Sequence, residues 1–155
     1  MKIQQATLEH LDELAPLFDA YRVFYKKESN LLAARKFLAE RLLHNESLVF
    51  IAYTEGGEAV GFVQLYRTFS SVRLGRLWIL NDLFVKPEVR GLGISKLLIL
   101  KCQQLVATTG GAGLRLETAT TNDIGNQLYP KMGFVLDRDD VNHYDWTNPE
   151  FVLKK

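Results

Sequence analysis

The sequence predicts an α/β sandwich, a mixed central sheet with helices on both faces. Three observations carry this. Segments with apolar residues at helical spacing alternate with short β-like runs, in the order βααβββαβαββ. One run, Leu77 to Val85, is apolar throughout except for Asn81 and Asp82, as a strand covered on both faces requires. That run leads through two glycines, Gly91 and Gly93, straight into a helical pattern from Ile94 to about Ala107.

Lys2 to Ala6 reads as a first strand, and Thr7 can cap the helix behind it. Leu11, Leu14, Ala15, Leu17, Phe18 and Tyr21 recur at helical spacing, and Phe24 and Tyr25 extend the aromatic end. Ser29 or Asn30 can cap a second helix running to about Leu43, with Leu32, Phe37 and Leu38 among its apolar positions. Leu48 to Tyr53 and Ala59 to Thr68 form a hairpin, because Thr54-Glu-Gly-Gly-Glu58 supplies positive φ. Ser70 to Arg76 reads as a polar connection. After the glycine loop, Ile94, Leu97, Leu98, Leu105 and Val106 mark a core-facing helix, ended by Thr109-Gly-Gly-Ala-Gly113. Leu114 to Thr118 is the next strand. Asn122 or Thr121 caps a short helix, Ile124 to Lys131, which Gly133 closes. Phe134 to Leu136 and Val141 to Trp146 read as a final antiparallel pair.

A chain of 155 residues without linker, repeat or low-complexity segment is expected to form one domain, 1–155. Its net charge of +1 offers no general attraction to nucleic acid or anionic membrane, so neither is expected as a partner. There is no apolar run of membrane-spanning length and no signal-peptide pattern, and the lone Cys102 fits a reducing compartment; the expected location is cytoplasmic. His10, His44 and His143 lack ligand-type spacing, so no metal is expected.

The loop carries the chemistry. Small residues let backbone N–H groups face a ligand, and the helix that follows adds unpaired donors and the positive end of its dipole. This is an anion site, suited to a phosphate or diphosphate. The dinucleotide fingerprint needs a third glycine where Lys96 stands, and no P-loop run exists. What remains is Arg90-x-x-Gly93-x-Ser95. It resembles the acyl-CoA loop of the GNAT superfamily of N-acetyltransferases, Gln/Arg-x-x-Gly-x-Gly/Ala, with Ser95 as the departure. Downstream, Asn122-Asp-Ile-Gly-Asn-Gln-Leu128-Tyr129-Pro-Lys-Met-Gly133-Phe134 is similar to a second signature of that family, Asn-x-x-Ala-x-x-Leu-Tyr-x-x-x-Gly-Phe. Gly125 stands in place of the usual Ala, and Pro130 follows the tyrosine. The two motifs occur in the family's order and at its separation.

The resemblance implies a mostly antiparallel sheet with a splayed pair of strands, and acetyl-CoA as co-substrate. It implies that Arg90, Gly91, Leu92, Gly93, Ile94 and Ser95 hold the diphosphate. The pantetheine would pair with backbone at Leu83, Phe84 and Val85, and Asn122 would contact the same arm. Tyr129 matches the family's general acid; taken alone it also reads as a core tyrosine. Asp82 is the local candidate for the base. A structural hydrogen bond at a strand bulge is the competing reading, and a relay through ordered water is a third possibility. Asn81, taken as lying on the opposite face, can orient substrate. Tyr21, Tyr25 and Glu28 suit a cationic amine through aromatic faces and ion pairing, though Phe24 and Tyr25 also read as packing for the helix junction. Cys102 two turns into its helix reads as a structural thiol, so direct transfer in a ternary complex is expected.

The implied activity is acetylation of a primary amine: a polyamine, a small amine, or a protein lysine or N-terminus. Tyr21 to Tyr25 and Asp140 to Tyr144 look like GNAT members assigned to such acceptors. A non-catalytic acetyl-CoA sensor is the alternative, and a nucleotide-phosphate binder unrelated to coenzyme A is a third reading. Tyr144, Trp146 and Phe151 within Val141 to Leu153 suggest a homodimer in which they cover a partner's sheet edge.

Overall fold

A computed structural model describes residues 1–137, Tyr144 and 148–151. Among these residues lie the strands β1 (Lys2–Gln5), β2 (Ser47–Tyr53), β3 (Ala59–Ser70), β4 (Gly75–Val85) and β5 (Gly113–Arg115), and the helices α1 (Leu11–Phe24), α2 (Leu31–Leu43), α3 (Ile94–Thr108) and α4 (Asp123–Lys131). The sheet order is β1-β2-β3-β4-β5. All neighbours are antiparallel except β4 and β5, which are parallel.

The sheet divides two cores. Val49, Ile51, Tyr53, Phe62 and Phe84 pack on one face against Leu14, Leu17 and Phe18 of α1 and Leu38 of α2. Phe50, Val63, Leu65, Trp78, Leu80 and Val85 pack on the other face against Ile94, Leu98, Ile99 and Cys102 of α3. Leu128, Tyr129 and Met132 of α4 join that second core. Every residue of β2 is buried, as expected of an interior strand with helices above and below.

Local chemistry sets the helix ends. The Asn30 side chain accepts from the Ala33 N–H at 3.0 Å and caps α2. Ser29 instead donates to the buried Asp19, which also accepts from the Asn30 N–H at 2.8 Å. Asp19 therefore ties α1 to the start of α2. Thr7 caps a short 3-10 turn, Leu8–His10, that precedes α1. Leu32 points outward, 78% exposed, contrary to its expected apolar role.

Three strand expectations are corrected. The polar connection expected at 70–76 narrows to a turn at 71–74, because Ser70 ends β3 and Gly75 and Arg76 already belong to β4. Cross-strand stacking favours the longer hairpin: the guanidinium of Arg67 lies 5.1 Å from Trp78, and that of Arg76 lies 5.6 Å from Phe69. The strand expected at 114–118 is shorter, because β5 pairs with β4 only from Leu77↔Gly113 to Ile79↔Arg115. The segment 134–136 has no ladder to a described strand; its expected partner, 141–146, lies outside the described residues apart from Tyr144.

Candidate active site

The site begins where β5 stops. Pairing on that side of β4 ends at Ile79, while β4 itself runs on to Val85. From Leu80 onward this edge has no strand partner among the described residues, so the two strands splay. Backbone polar groups on such an edge are free to pair with an extended ligand.

Just there, β4 carries a bulge. Gln64 of β3 stands opposite Asp82, and Leu65 opposite Leu80, so Asn81 is the extra residue. Strict alternation after Leu80 would turn Asp82 towards α3. The bulge instead turns it to the side of α1, and Asn81 is not on the opposite face, as alternation predicts. Its Nδ2 donates to Asp82 Oδ1 at 3.0 Å. Asp82 is buried, and its other oxygen accepts from Gln64 Nε2 at 2.8 Å. Burial first, then the Asp82 charge and its hydrogen bond, push the Tyr21 phenol well above its usual range. Burial, followed by the Asp82 charge, raises the Tyr66 phenol to about 12, with Arg41 acting in the lowering direction.

Helix α1 brings further aromatic surface. The rings of Tyr21 and Tyr25 meet edge to face at 4.9 Å. Burial, and then the proximity of Tyr25, raise the Tyr129 phenol. Asp82, Tyr21, Tyr25 and Tyr129 thus form a connected neighbourhood drawn from β4, α1 and α4. Tyr129 is half-buried and stacks edge to face on Phe134 at 5.8 Å. Glu28 is exposed in the α1–α2 link, where its backbone carbonyl accepts from Arg22, and the structure does not join its carboxylate to this group.

The loop closes the other end of the splay. Gly91 and Gly93 have φ of +84° and +78°, in the left-handed region, and a Cβ on either would meet nothing within 4 Å. Gly93 is the N-cap of α3, and no side chain caps this helix. The first-turn N–H groups at Ile94, Ser95 and Lys96 therefore face space that an anion can fill. Leu92 is exposed on the loop, whereas Ile94 is buried and anchors it. Arg90 has a different local task. Its Nε donates to the Val85 carbonyl at 3.0 Å, and its guanidinium lies over Phe24 and Phe84 at 5.5 and 5.9 Å. That bond removes the Val85 carbonyl from the free edge and leaves the Leu83 backbone groups and the Val85 N–H on it, since Phe84 pairs with Phe62 in the β3 ladder. A groove of about 560 Å³ beside the loop is lined by Ala20, Val23 and Phe24 of α1 together with Phe84, Pro87 and Arg90.

Asn122 is the N-cap of α4. Its Oδ1 accepts from the Gly125 N–H at 3.1 Å, and its Nδ2 donates to Thr118 Oγ1 at 2.8 Å. One amide N–H stays available for a ligand.

A chain with this splayed edge and glycine turn has close counterparts. Residues 11–134 match the acetyltransferase (GNAT) family. The chain belongs to that family. It is 42% identical over 144 residues to the uncharacterized N-acetyltransferase YhfO of Bacillus subtilis, covering 93% of this chain and 95% of that protein. The crystal structure of a probable acetyltransferase superposes with a TM-score of 0.91 at 39% identity, covering 97% of this chain and 100% of the other. A thialysine N-epsilon-acetyltransferase of Bos taurus is 34% identical over 79 residues, 51% of this chain and 46% of that protein. The mixed, mostly antiparallel sheet with parallel β4 and β5 is the GNAT fold, and the family assigns acetyl transfer to it.

Reading the sequence alone missed Gln64 in this GNAT domain. The available signal was a single amide in the otherwise apolar stretch Val60 to Leu65, fully buried in the structure. It also missed Thr118, which orients the Asn122 amide.

Proposed function

We propose that the protein moves an acetyl group from acetyl-CoA to a primary amine by direct attack within a ternary complex. The observation that carries this reading is the free edge of β4, which ends in an uncapped glycine turn at one side and borders Asp82, Tyr21, Tyr25 and Tyr129 at the other. The amides from Gly91 to Ser95 bind the diphosphate, backbone at Leu83 and the Val85 N–H pair with the pantetheine, and Asn122 steadies that arm.

An alkylammonium with a pKa near ~10.4 must lose a proton before it can attack. The Asp82 carboxylate takes that proton, directly or through water, and becomes the acid. The free amine attacks the thioester carbonyl, forming the C–N bond. The C–S bond then breaks, and the departing sulfur takes the Tyr129 phenolic proton. The amide nitrogen gives up its second proton as the phenol is restored, so the products are an N-acetyl amine, coenzyme A and one proton. Cys102 is fully buried, and burial raises its thiol to about 12, which fits a route without an acetyl-cysteine intermediate.

The amine acceptor also fits the thialysine N-epsilon-acetyltransferase of Bos taurus, whose name places the acetyl group on an ε-nitrogen. Incubation with acetyl-CoA and a panel of polyamines, small amines and lysine peptides, read by thiol release and product mass, tests the reading. Tight acetyl-CoA binding without acetylation of any amine would favour a sensor instead. We further propose a cytoplasmic homodimer joined through 141–153, a segment mostly outside the described residues, in which Tyr144 and Phe151 are exposed. A monomer mass in light scattering at micromolar concentration would refute the dimer.

A further inference from the structure

Gln64 sits at the centre of an unresolved polar account. Its side chain is fully buried on the α1 side of the sheet. Its Nε2 is committed to Asp82 Oδ2, while its Oε1 is buried without a hydrogen-bond donor among the described residues. An orphaned buried acceptor costs about 1–3 kcal/mol, so it is rarely left without purpose.

Asp82 presents the matching anomaly. It is 4% exposed, and no Lys, Arg or His forms an ion pair with it among the described residues. Its surroundings supply only neutral donors: the Gln64 and Asn81 amides and the Tyr21 phenol. Arg41, whose charge reaches Tyr66, is tied to Glu46 at 2.5 Å and to Glu40 at 3.5 Å. A buried carboxylate without a counter-cation and a buried carbonyl without a donor lie across one bulged rung. One ligand chemistry answers both, a cation that brings several N–H donors on a single atom.

We propose that Gln64 and Asp82 together form the socket for the acceptor's ammonium, Asp82 taking one N–H and Gln64 Oε1 a second, so that the site selects ammonium groups with at least two N–H donors, primary amines above all. This rests on the amine-acetyltransferase reading and adds a specificity residue to it. A primary ammonium has three N–H groups: two fill the socket and the third stays free. Two N-methyl groups leave a single donor, so one of the two acceptors faces a methyl instead. A hydroxyl brings one donor and no charge. The edge-to-face pair Tyr21 and Tyr25 borders the socket and offers ring surface to the same cation.

The test uses butylamine and N,N-dimethylbutylamine as probes, titrated by NMR into the full chain saturated with coenzyme A. Gln64→Met conserves volume and removes both polar ends. We expect it to weaken butylammonium binding at least tenfold and to erase a preference of at least tenfold for butylamine over N,N-dimethylbutylamine, while acetyl-CoA affinity stays within twofold. Gln64→Glu is the second variant. Its carboxyl shares one proton with Asp82, so the pair keeps a single negative charge and an acceptor oxygen. It should retain butylammonium binding within threefold and lose turnover, because the base is now partly protonated. Unchanged binding and selectivity in folded Gln64→Met would overturn the proposal. So would absence of saturable butylammonium binding by the wild type, or its loss in Gln64→Glu. Acetylated product is scored separately: ammonium binding through the socket without acetylation would count against the proposed activity and leave the socket standing.

Discussion

A Cβ added to Gly125 would lie 2.6 Å from Asn122 Nδ2 and 3.1 Å from Tyr129 Cε2. The bare backbone of Gly125 therefore lets the cap of α4 and the ring of Tyr129 close over the same spot. This accounts for a glycine where the related motif carries alanine. In an exposed helix Gly→Ala gains up to about 1 kcal/mol. Here the methyl must displace the Asn122 amide, whose capping bond is worth a similar ~1 kcal/mol. Gly125→Ala is expected to leave Tm unchanged or lower it, and to reduce kcat through the shifted Tyr129 ring. Thermal unfolding with parallel kinetics checks this. A Tm increase of several degrees would show that the Asn122 side chain moves aside without cost.

Tyr129→Phe keeps the stacking on Phe134 and deletes only the hydroxyl. An interaction made mainly in the transition state appears in kcat and not in ground-state affinity. A drop in kcat of about 10²-fold or more is expected, the usual scale for a general acid, with acetyl-CoA affinity changed less than about threefold. If kcat survives within a factor of about two, water protonates the thiolate. If both parameters fall together, the hydroxyl is a binding group.

At Gly93 the φ of +78° matters before any contact does. A β-branched residue is a genuine outlier there, so Gly93→Val must rebuild the turn and also place bulk in the open space at the start of α3. Because Ile94, Leu98 and Ile99 keep the helix anchored in the core, the fold should persist while acetyl-CoA affinity falls at least tenfold. Calorimetry on the folded variant measures it; unchanged affinity would remove the loop from the donor site.

Alkaline titration reports on four phenols. Tyr21, Tyr53, Tyr66 and Tyr129 are all held above the usual value near 10, mainly by burial; in Tyr53 the hydrogen bond to Glu13 comes second. A raised phenol is neutral in the folded chain when its unfolded counterpart has begun to ionise. Its stabilising contribution is therefore complete below pH about 10 and is lost as pH rises beyond that. Denaturant unfolding should show stability falling above pH 10, with most phenolate absorbance appearing only as the protein unfolds. Smooth ionisation of all six tyrosines near pH 10 in the folded state would contradict this environment.

Cys102 should be inert in the native state. Its thiol is fully buried and raised to about 12, so little thiolate forms at pH 8. Reaction with a disulfide reagent at that pH should wait for unfolding, and Cys102→Ala should keep kcat within about threefold while losing on the order of 1 kcal/mol of stability. Loss of turnover in a folded Cys102→Ala protein would instead point to a covalent acetyl intermediate.

The sequence alone determined the element order as far as α4, the strand–glycine–helix turn and the two motifs around Gly93 and Tyr129, because each rests on local rules. Helical spacing, capping side chains and the need for positive φ act over a few residues, and the structure places Asn30 and Asn122 at their caps and Gly91 and Gly93 in the left-handed region. Which residues meet around Asp82 was decided by tertiary structure. A bulge depends on the register of two strands, so the sequence alone did not reveal that Asn81 and Asp82 share a side or that Gln64 faces them. The end of β5 at Arg115 is likewise a matter of pairing geometry: Leu116 has strand-like character, but no β4 partner continues the ladder. The approach of Tyr25 to Tyr129 joins residues more than a hundred positions apart, and it exists only because α1 and α4 reach the same stretch of the sheet from opposite faces.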